Sequence, residues 1–357
     1  MLAAEYNQVI STTTLIHSEQ RAMSRLTYHV GLDYHQFSVQ VCVMDREGNV
    51  IQNATRPNDW QSVVDVVPDG GVVFAAIEAC CGAADFAEEL INKAGWSVNL
   101  AHPGYVARIK QSPDKTDWAD AKLLADLERV GYLPKVWLAP ENIRELRRLV
   151  RYRQQQVNRR RDVKLRIRAL LRDQRAKAPS EINPWTKAWQ RWAEESSEIG
   201  ETSRWILGEH FSEIETLTQR IRTVEKRLSS LLAEDPVAQK LLEQSGIGLV
   251  TAATLRAEIG RFDRFRSGKQ LARFCAVTPR NASSGQRQAD AGLIKAGNRE
   301  LRRVLVEAAQ RLRRLDDYWV KFSDRMQERG KPSNVITAAV ANRWIRGLYY
   351  EMNNLAA

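Results

Sequence analysis

Apolar and polar residues alternate from Thr27 to Asp33 with the period of two that is typical of a β-strand. Two more strands, Ser38–Met44 and Val50–Ala54, are predicted on either side of the turn at residues 45–48. The pattern then changes to alternating helices and strands. The predicted elements are a helix over Trp60–Val67, a strand over Val72–Ile77 that ends on Glu78, a helix over Ala83–Ala94, a strand over Ser97–Ala101 and a helix that carries Asp117 and Asp120.

Asp117 and Asp120 lie three residues apart, a spacing that places both carboxylates on one face of a helix. Two close carboxylates raise each other's pKa unless a cation lies between them, so the pair suits a hard metal such as Mg²⁺. By itself, however, the pair favours a simpler interpretation, in which Asp117 is the N-cap and Asp120 faces the positive end of the helix dipole.

Three strands joined as hairpins and followed by alternating helices and strands is the order of the α/β RNase H-like fold. In that fold the first and fourth strands are neighbours, so Asp33 and Glu78 are expected side by side. A charge at the end of an apolar strand is costly to bury without a compensating cation. Together with Asp117 and Asp120, these residues predict a site for one or two Mg²⁺ ions that act on a phosphodiester. The alternative is four unrelated surface acids.

Beyond Pro140 the helical period takes over. A basic helix is predicted over residues 141–177, and a second long helix carries apolar residues in a heptad seam. The seam residues are Ile214, Leu217, Ile221, Val224, Leu228 and Leu231. Residues 141–234 therefore predict an antiparallel helical hairpin or coiled-coil arm. Three tryptophans between the helices, Trp185, Trp189 and Trp192, favour core or partner packing, with base stacking as the alternative.

The net charge of +11 is concentrated in the first of these helices. Residues 144–177 contain 12 arginines and 2 lysines against 3 acidic residues, which accounts for the whole excess. Such density on one helix indicates a polyanionic partner, although a solvated scaffold is the common alternative. The arginines predicted to contact nucleic acid are Arg147, Arg148, Arg151, Arg159, Arg160 and Arg161.

A third, mostly helical region begins near Pro236. Gly246 and Gly248 lie in a turn that resembles a helix-hairpin-helix, in which backbone amides approach a DNA phosphate. Asn298 is predicted to cap a helix with Leu301, Val304, Leu305, Ala308 and Leu312 inside, and a last helix is expected over residues 333–350. Composition alone identifies Ser283 and Ser284 as ordinary loop residues.

Composition excludes several classes of protein. No apolar run reaches the roughly 18 residues of a membrane span, and the first residues do not form a signal peptide, so a cytoplasmic location is expected. The four cysteines and five histidines lack the spacing of a zinc site or a disulfide framework. Residues 1–26 are predicted to be a loose tail, with either Met1 or Met23 as the start.

The segments Val30–Asp33, Ala76–Ala79 and Lys115–Ala121 resemble the RuvC-like DEDD domain of the insertion-sequence-110 family of transposases, to which Piv-type DNA invertases are related. The similarity extends from about Thr27 to the C-terminal region. This sequence departs from the family pattern at Cys80-Cys81-Gly82, where Thr-Gly is frequent.

The resemblance implies a domain order: a RuvC-like domain at 27–140, a coiled-coil arm at 141–234 and a helical transposase domain at 235–357. It also implies that Ser284, the serine before Gly285, is the nucleophile. Arg280, Arg287, Lys295 and Arg299 lie near this serine in sequence and are expected to stabilise charge on a transferring phosphate. Because no histidine is nearby in sequence, activation is expected from the metal bound by the carboxylates, in one composite site.

The expected function is therefore that of an RNA-guided DNA recombinase, which cuts and rejoins strands by Mg²⁺-dependent transesterification through a phosphoserine. Its expected partners are double-stranded donor and target DNA, a structured guide RNA and further copies of the chain in a dimer or tetramer. The alternatives are a protein-guided invertase of the same family, a RuvC-like junction nuclease that uses the carboxylates alone, and a noncatalytic nucleic-acid-binding protein.

Overall fold

A computed structural model of the chain describes residues 26–110, 116–282 and 290–353. The predicted N-terminal tail, apart from Leu26, and the predicted nucleophile Ser284 lie outside the described residues. The chain divides into two compact units, Met1–Ala139 and Pro140–Ala357.

The first unit is a mixed α/β domain. Its elements are β1 (Thr27–Tyr34), β2 (Ser38–Met44), β3 (Val50–Pro57), α1 (Trp60–Val64), β4 (Val72–Glu78), α2 (Ala83–Ala94), β5 (Ser97–Ala101), α3 (Pro103–Ile109), α4 (Asp117–Arg129) and β6 (Lys135–Val136). The strands form one sheet in the order β3-β2-β1-β4-β5-β6. As predicted, β1 and β4 are parallel neighbours at the centre of the sheet.

The central strands are apolar because both faces of the sheet are covered. Val30, Leu32 and Ile77 are completely buried and pack with α2 residues such as Leu90 on one face. On the other face, α4 covers β1 and β2, with Ala121 and Ala125 against Cys42 and Met44.

Several boundaries in this unit differ from the sequence prediction. Strand β3 continues to Pro57, and α1 ends at Val64 rather than Val67. Helix α3 was not predicted, although Pro103 at its start, with the side chain of His102 as an N-cap acceptor, is a recognisable helix signal. Helices this short carry too little hydrophobic periodicity to be identified from pattern alone.

The second unit is helical apart from one short hairpin in the part of the chain that the structure describes. Its elements are α5 (Glu141–Asp173), α6 (Lys187–Glu195), α7 (Glu201–Ala233), α8 (Pro236–Leu242), α9 (Leu249–Ile259), α10 (Gly268–Phe274), β7 (Pro279–Asn281), β8 (Asp290–Leu293), α11 (Arg299–Leu315), α12 (Asp317–Glu328) and α13 (Ser333–Asn353). None of the helices in the described ranges is both long and apolar enough to cross a membrane.

The long helices α5 and α7 pack against each other and contribute to two cores. Near α8, Leu146 and Val224 join the core formed by the C-terminal helices. At the other end, Ile167 and Leu207 pack with Trp189, which is 5% exposed. The heptad prediction is wrong at Leu231, which is 50% exposed, while Leu232 is buried in its place. The buried face continues at the fourth residue after Leu228 rather than the third, a spacing that the 3.6-residue helical period allows equally well.

Candidate acidic active site

The carboxyl ends of β1 and β4 place Asp33 and Glu78 side by side. The last paired residues in this parallel ladder are Leu32 and Ile77, and each acidic residue is the next one along its strand. The Cys80 thiol lies near both carboxylates: desolvation by burial raises its pKa, and the charges of Glu78 and Asp33 add to the rise. The first and fourth strands thus bring the two acids to one edge of the sheet.

Helix α4 brings two further carboxylates to Asp33. Its N-cap is Thr116, whose hydroxyl accepts a hydrogen bond from the backbone N–H of Ala119 at 3.2 Å. The interpretation of Asp117 as the N-cap is therefore wrong, because Thr116 already has that role and Asp117 is the first helical residue. Asp117 and Asp120 both act electrostatically on Asp33 and raise its pKa.

Gly31 sets how closely α4 can approach β1. A Cβ placed on Gly31 would lie 1.8 Å from the carbonyl oxygen of Ala121 and 2.5 Å from the backbone nitrogen of Ala125. Only a residue without a side chain permits this contact, in which the helix lies directly on the strand. The first turn of α4 consequently meets the end of β1, where Asp33 is located.

His35 lies between two of the carboxylates and is not among the predicted site residues. Its Nε2 is 3.3 Å from Oδ2 of Asp33 and 3.4 Å from Oδ2 of Asp117. Together the three side chains could hold a metal ion, since one potential ligand atom from each lies within 4.8 Å of the others. The signal in the sequence was weak: His35 follows Asp33 by two residues, in the turn before β2.

Burial and the neighbouring carboxylates raise the pKa of Asp33, and His35 acts against them. Desolvation raises the pKa of Asp33, His35 lowers it, and the carboxylates of Asp117 and Asp120 raise it further, so the net shift is upward. Asp120 is paired with Lys110, and both side chains are about one-fifth exposed. Crowded carboxylates whose charge is only partly compensated are the kind of donor set that binds a divalent cation.

The predicted arginines on α5 differ in their surroundings. Arg151 donates two hydrogen bonds, of 3.0 and 3.1 Å, to the carboxylate of Glu258, a residue only 3% exposed. Arg147 lies 3.7 Å from the same carboxylate and donates to the backbone carbonyl of Ala257. Asn298 also donates to Glu258, at 2.7 Å. Arg147 and Arg151 thus fix α5 to α9 within the second unit.

The other four arginines of the set contact solvent, nearby acidic residues or helix α7. Arg148 pairs with Glu145 and Arg161 with Asp162, both at the protein surface. Arg160 donates to the hydroxyl of Thr218 at 3.1 Å, and Arg159 is exposed. Surface ion pairs are worth little, so Arg148 and Arg161 can exchange partners at low cost.

In the C-terminal helices, the glycine turn has clear structural functions. Gly246 has a φ of +74°, and a Cβ there would lie 3.3 Å from the side chain of Leu312. Gly248 is the N-cap of α9, and Arg311 donates to the carbonyl of Gly246 at 3.0 Å. Asn298 caps α11 as predicted, accepting hydrogen bonds from the backbone N–H groups of residues 300 and 301.

The hairpin β7–β8 leads into and out of residues 283–289, which include Ser283, Ser284 and Arg287 and lie outside the described residues. Of the cations predicted near the serine, Arg280, Lys295 and Arg299 are described, and all three are exposed.

A mixed α/β sheet domain with clustered carboxylates, followed by a helical region, is compatible with the RNase H-like class of DNA-processing enzymes. Comparison with protein families narrows this class. The model of the DEDD transposases of IS110, described as "Transposase", matches residues 30–174. A second family model, described as "Transposase IS116/IS110/IS902 family", matches residues 238–324. The chain belongs to the IS110 family of transposases, enzymes that cut and transfer DNA.

Individual relatives agree with this assignment over most of their length. A "Probable family 20 transposase" of Pseudomonas aeruginosa is 28% identical over 331 residues, which cover 90% of this chain and 95% of the relative. The "Transposase for insertion sequence element IS1328" of Yersinia enterocolitica is 25% identical, and the match covers 89% of this chain and 94% of the relative. The "Transposase for insertion sequence element IS1111A" of Coxiella burnetii is 26% identical, and the match covers 80% of this chain and 78% of the relative.

Proposed function

We propose that this transposase is an RNA-guided DNA recombinase that cuts and rejoins strands through a covalent phosphoserine at Ser284. The observation that carries the proposal is the convergence of Asp33 with Asp117 and Asp120, which come from a strand end and a helix start 84 residues further along the chain. A buried-strand carboxylate beside two others is costly for folding. Its presence in a transposase is explained by a divalent cation, for which we propose Mg²⁺.

The proposed ligands are Asp33, Glu78, Asp117 and Asp120. Their oxygen donors match the preference of Mg²⁺ for hard ligands. A bound divalent cation would stabilise the negative charge on the oxygens that attack and leave the phosphorus of a phosphodiester. Lys110 neutralises part of the charge on Asp120, and His35 contacts both Asp33 and Asp117. His35 therefore links Asp33 to Asp117, while Lys110 compensates Asp120 alone.

The proposed chemistry is transesterification. The Ser284 Oγ forms a bond to the scissile phosphorus, the phosphorus–oxygen bond of the strand breaks, and the departing oxygen becomes a hydroxyl group as the serine gives up its proton. Rejoining is the same step in reverse, with a DNA hydroxyl as nucleophile and the serine as leaving group. The phosphodiester energy is conserved, so no ATP is needed. This chemistry requires the acidic site and Ser284 to form one composite site, in one chain or between copies in a dimer or tetramer.

The proposed nucleic-acid-binding surfaces are those with exposed basic residues. We assign the guide RNA to the exposed arginines of the arm, residues 141–234, and the donor and target DNA to the C-terminal domain. There the backbone at Gly246 and Gly248 and the exposed Arg280, Lys295 and Arg299 are proposed phosphate contacts. We further propose that residues 27–140 form a RuvC-like domain, that residues 141–234 form a coiled-coil arm and that the turn at Gly246 and Gly248 is a helix-hairpin-helix.

The experiment compares strand cleavage by wild type, Asp33→Asn and Asp120→Asn in Mg²⁺ and in EDTA. Both variants are expected to lose cleavage while they keep nucleic-acid binding, because the amide preserves shape and removes charge. Asp69→Asn, an exposed acid in the turn before β4, is the matched control and should cut normally. Full activity in EDTA, or in both variants, would refute the proposed site. RNA that copurifies with the protein, identified by sequencing, tests the guide; its absence favours a protein-guided invertase.

A further inference from the structure

Two large aromatic side chains border the acidic site and are exposed. Phe37 is 82% exposed and follows His35 by two residues, and Trp118 is 48% exposed and directly follows Asp117. His35 and Asp117 are in contact, at 3.4 Å, so the two aromatic residues belong to the same rim of the site. Neither takes part in a hydrophobic core cluster of the described residues. Aromatic residues of this size are normally buried to a large extent, so their position needs an explanation.

The turn that carries Phe37 is held in place by its backbone. The side-chain amide of Asn58 donates to the carbonyl oxygens of His35 and Gln36, at 2.7 and 3.2 Å. The backbone N–H of Asn58 donates to the carbonyl of Phe37 at 3.2 Å. A turn with three consecutive carbonyls bonded to one residue has little backbone freedom, so the exposed ring of Phe37 projects from a held backbone.

Trp118 is fixed in a comparable way. Its backbone carbonyl accepts a hydrogen bond of 3.0 Å from the side-chain amide of Asn53 on β3. Asn53 is in turn held by Gln40, which donates to it at 2.6 Å. The ammonium group of Lys122, one turn further along α4, lies 5.3 Å from the centre of the indole ring. An aromatic ring on a held backbone therefore has a cation beside it, on the border of a cluster of carboxylates.

We propose that Phe37 and Trp118 stack on unpaired bases of the DNA strand next to the scissile phosphate. The proposal rests on the proposed function, which makes a DNA strand the substrate of the acidic site. A bound cation would offset the repulsion between the carboxylates and the scissile phosphate only, so further contacts are needed to hold the rest of the strand at this edge. Stacking on aromatic rings accepts any base, while Lys122 can approach a neighbouring phosphate. Protein partners are disfavoured by the adjoining carboxylates, since charged groups are depleted at the centre of protein interfaces.

The test uses the full-length Asp120→Asn protein, so that binding is measured without cleavage. Its affinity is determined by fluorescence anisotropy for a DNA duplex and for the same duplex with a short central bubble of unpaired bases. Replacement of Trp118 by Ala, or of Phe37 by Ala, is expected to lower the preference for the bubble at least about fivefold, at the lower end of what the loss of one base stack costs. Trp118→Phe should retain most of the preference.

Trp205→Ala is the matched control, because Trp205 is 68% exposed on α7 and lies in the other unit. An unchanged bubble preference in both the Phe37 and Trp118 variants would overturn the proposal. An equal loss for duplex and bubble would do the same, since it would indicate a general effect on the fold. The same measurement is made with RNA as the unpaired strand. If the Phe37 and Trp118 variants lose the bubble preference only with RNA, the surface binds RNA and the proposal is wrong. If they keep the preference but change oligomeric state by light scattering, the surface is an interface between copies of the chain. The cleavage experiment with Asp33→Asn is independent of these results, so the two proposals can fail separately.

Discussion

Gly31 and Ala121 are in direct backbone contact: a Cβ on the glycine would lie 1.8 Å from the carbonyl oxygen of the alanine. This contact determines the depth at which α4 rests on β1. The distance between Asp33 at the end of the strand and Asp117 at the start of the helix depends on it. A residue with no functional group thereby controls the geometry of the candidate site.

Replacement of Gly31 by Ala should destabilise the protein and reduce strand cleavage. An overpacked core typically loses about 1–3 kcal/mol in free energy of unfolding, and here the clash is with rigid backbone, so the upper part of this range is expected. Urea denaturation measures the loss. Gly208→Ala is the control: Gly208 is inside helix α7, and a Cβ placed there would meet no atom within 4 Å beyond its chain neighbours and the backbone of its own helix, so a gain of roughly 0.5–1 kcal/mol is expected. Unchanged stability of Gly31→Ala would contradict the packing described for α4.

The arginines of α5 should separate into two groups. Arg147 and Arg151 hold the buried Glu258, so Arg151→Gln is expected to lower thermal stability. The combined replacement of Arg148, Arg159 and Arg161 by Gln should leave the melting temperature unchanged and weaken RNA binding. Each lost phosphate contact lowers the slope of log affinity against log salt by somewhat under about one unit. A salt titration with the same affinity and slope as wild type would identify the helix as a solvated scaffold.

Ser284→Ala distinguishes a recombinase from a nuclease. A nuclease that activates water needs no serine and would still cut, whereas a transesterase loses both its cleavage product and its covalent intermediate. We expect no cleaved strand from Ser284→Ala, and a protease-resistant nucleotide adduct on Ser284 when wild type is trapped on nicked DNA. Ser283→Ala is the neighbouring control and should remain active. Mass spectrometry that finds the adduct on Ser283 would correct the residue, and cleavage by Ser284→Ala without any adduct would exclude the phosphoserine mechanism.

His29 should make the first unit sensitive to acid. Burial lowers the pKa of His29 below its usual 6.5, with Glu128 acting against this shift and Arg129 adding to it. As the pH falls through 6.5, the unfolded chain takes up a proton before the folded chain does, so stability falls until the folded pKa is passed. His29→Phe keeps the stacking on Phe74, whose ring centre is 5.9 Å away, and should lose less stability between pH 7.5 and 5.5. The melting temperature of both proteins is measured at pH 7.5 and at pH 5.5. An equal decrease in the two proteins would contradict the effect assigned to His29.

Local pattern determined much of the first unit. The period of two in β1 and β2 and the apolar run of β4 identified the central strands, because a strand buried on one or both faces must have that pattern. The adjacency of Asp33 and Glu78 followed from strand order, since the ends of parallel neighbours share one edge of a sheet. The sequence also predicted the basic helix and the cap at Asn298, because charge density and capping depend on residues that are close in sequence.

Other features depended on contacts between residues far apart in sequence. Thr116, rather than Asp117, caps α4, and both residue types satisfy a helix start equally well. Arg151 points to Glu258, 107 residues away, and no local pattern distinguishes it from the exposed Arg159. His35 meets Asp117 only because a missing side chain at Gly31 lets a helix lie on a strand. The sequence by itself determined the central strands of this transposase, its candidate carboxylates and, through strand order, the adjacency of Asp33 and Glu78. The tertiary structure alone decided which side chains from distant segments join them, because packing brings together residues that the sequence keeps apart.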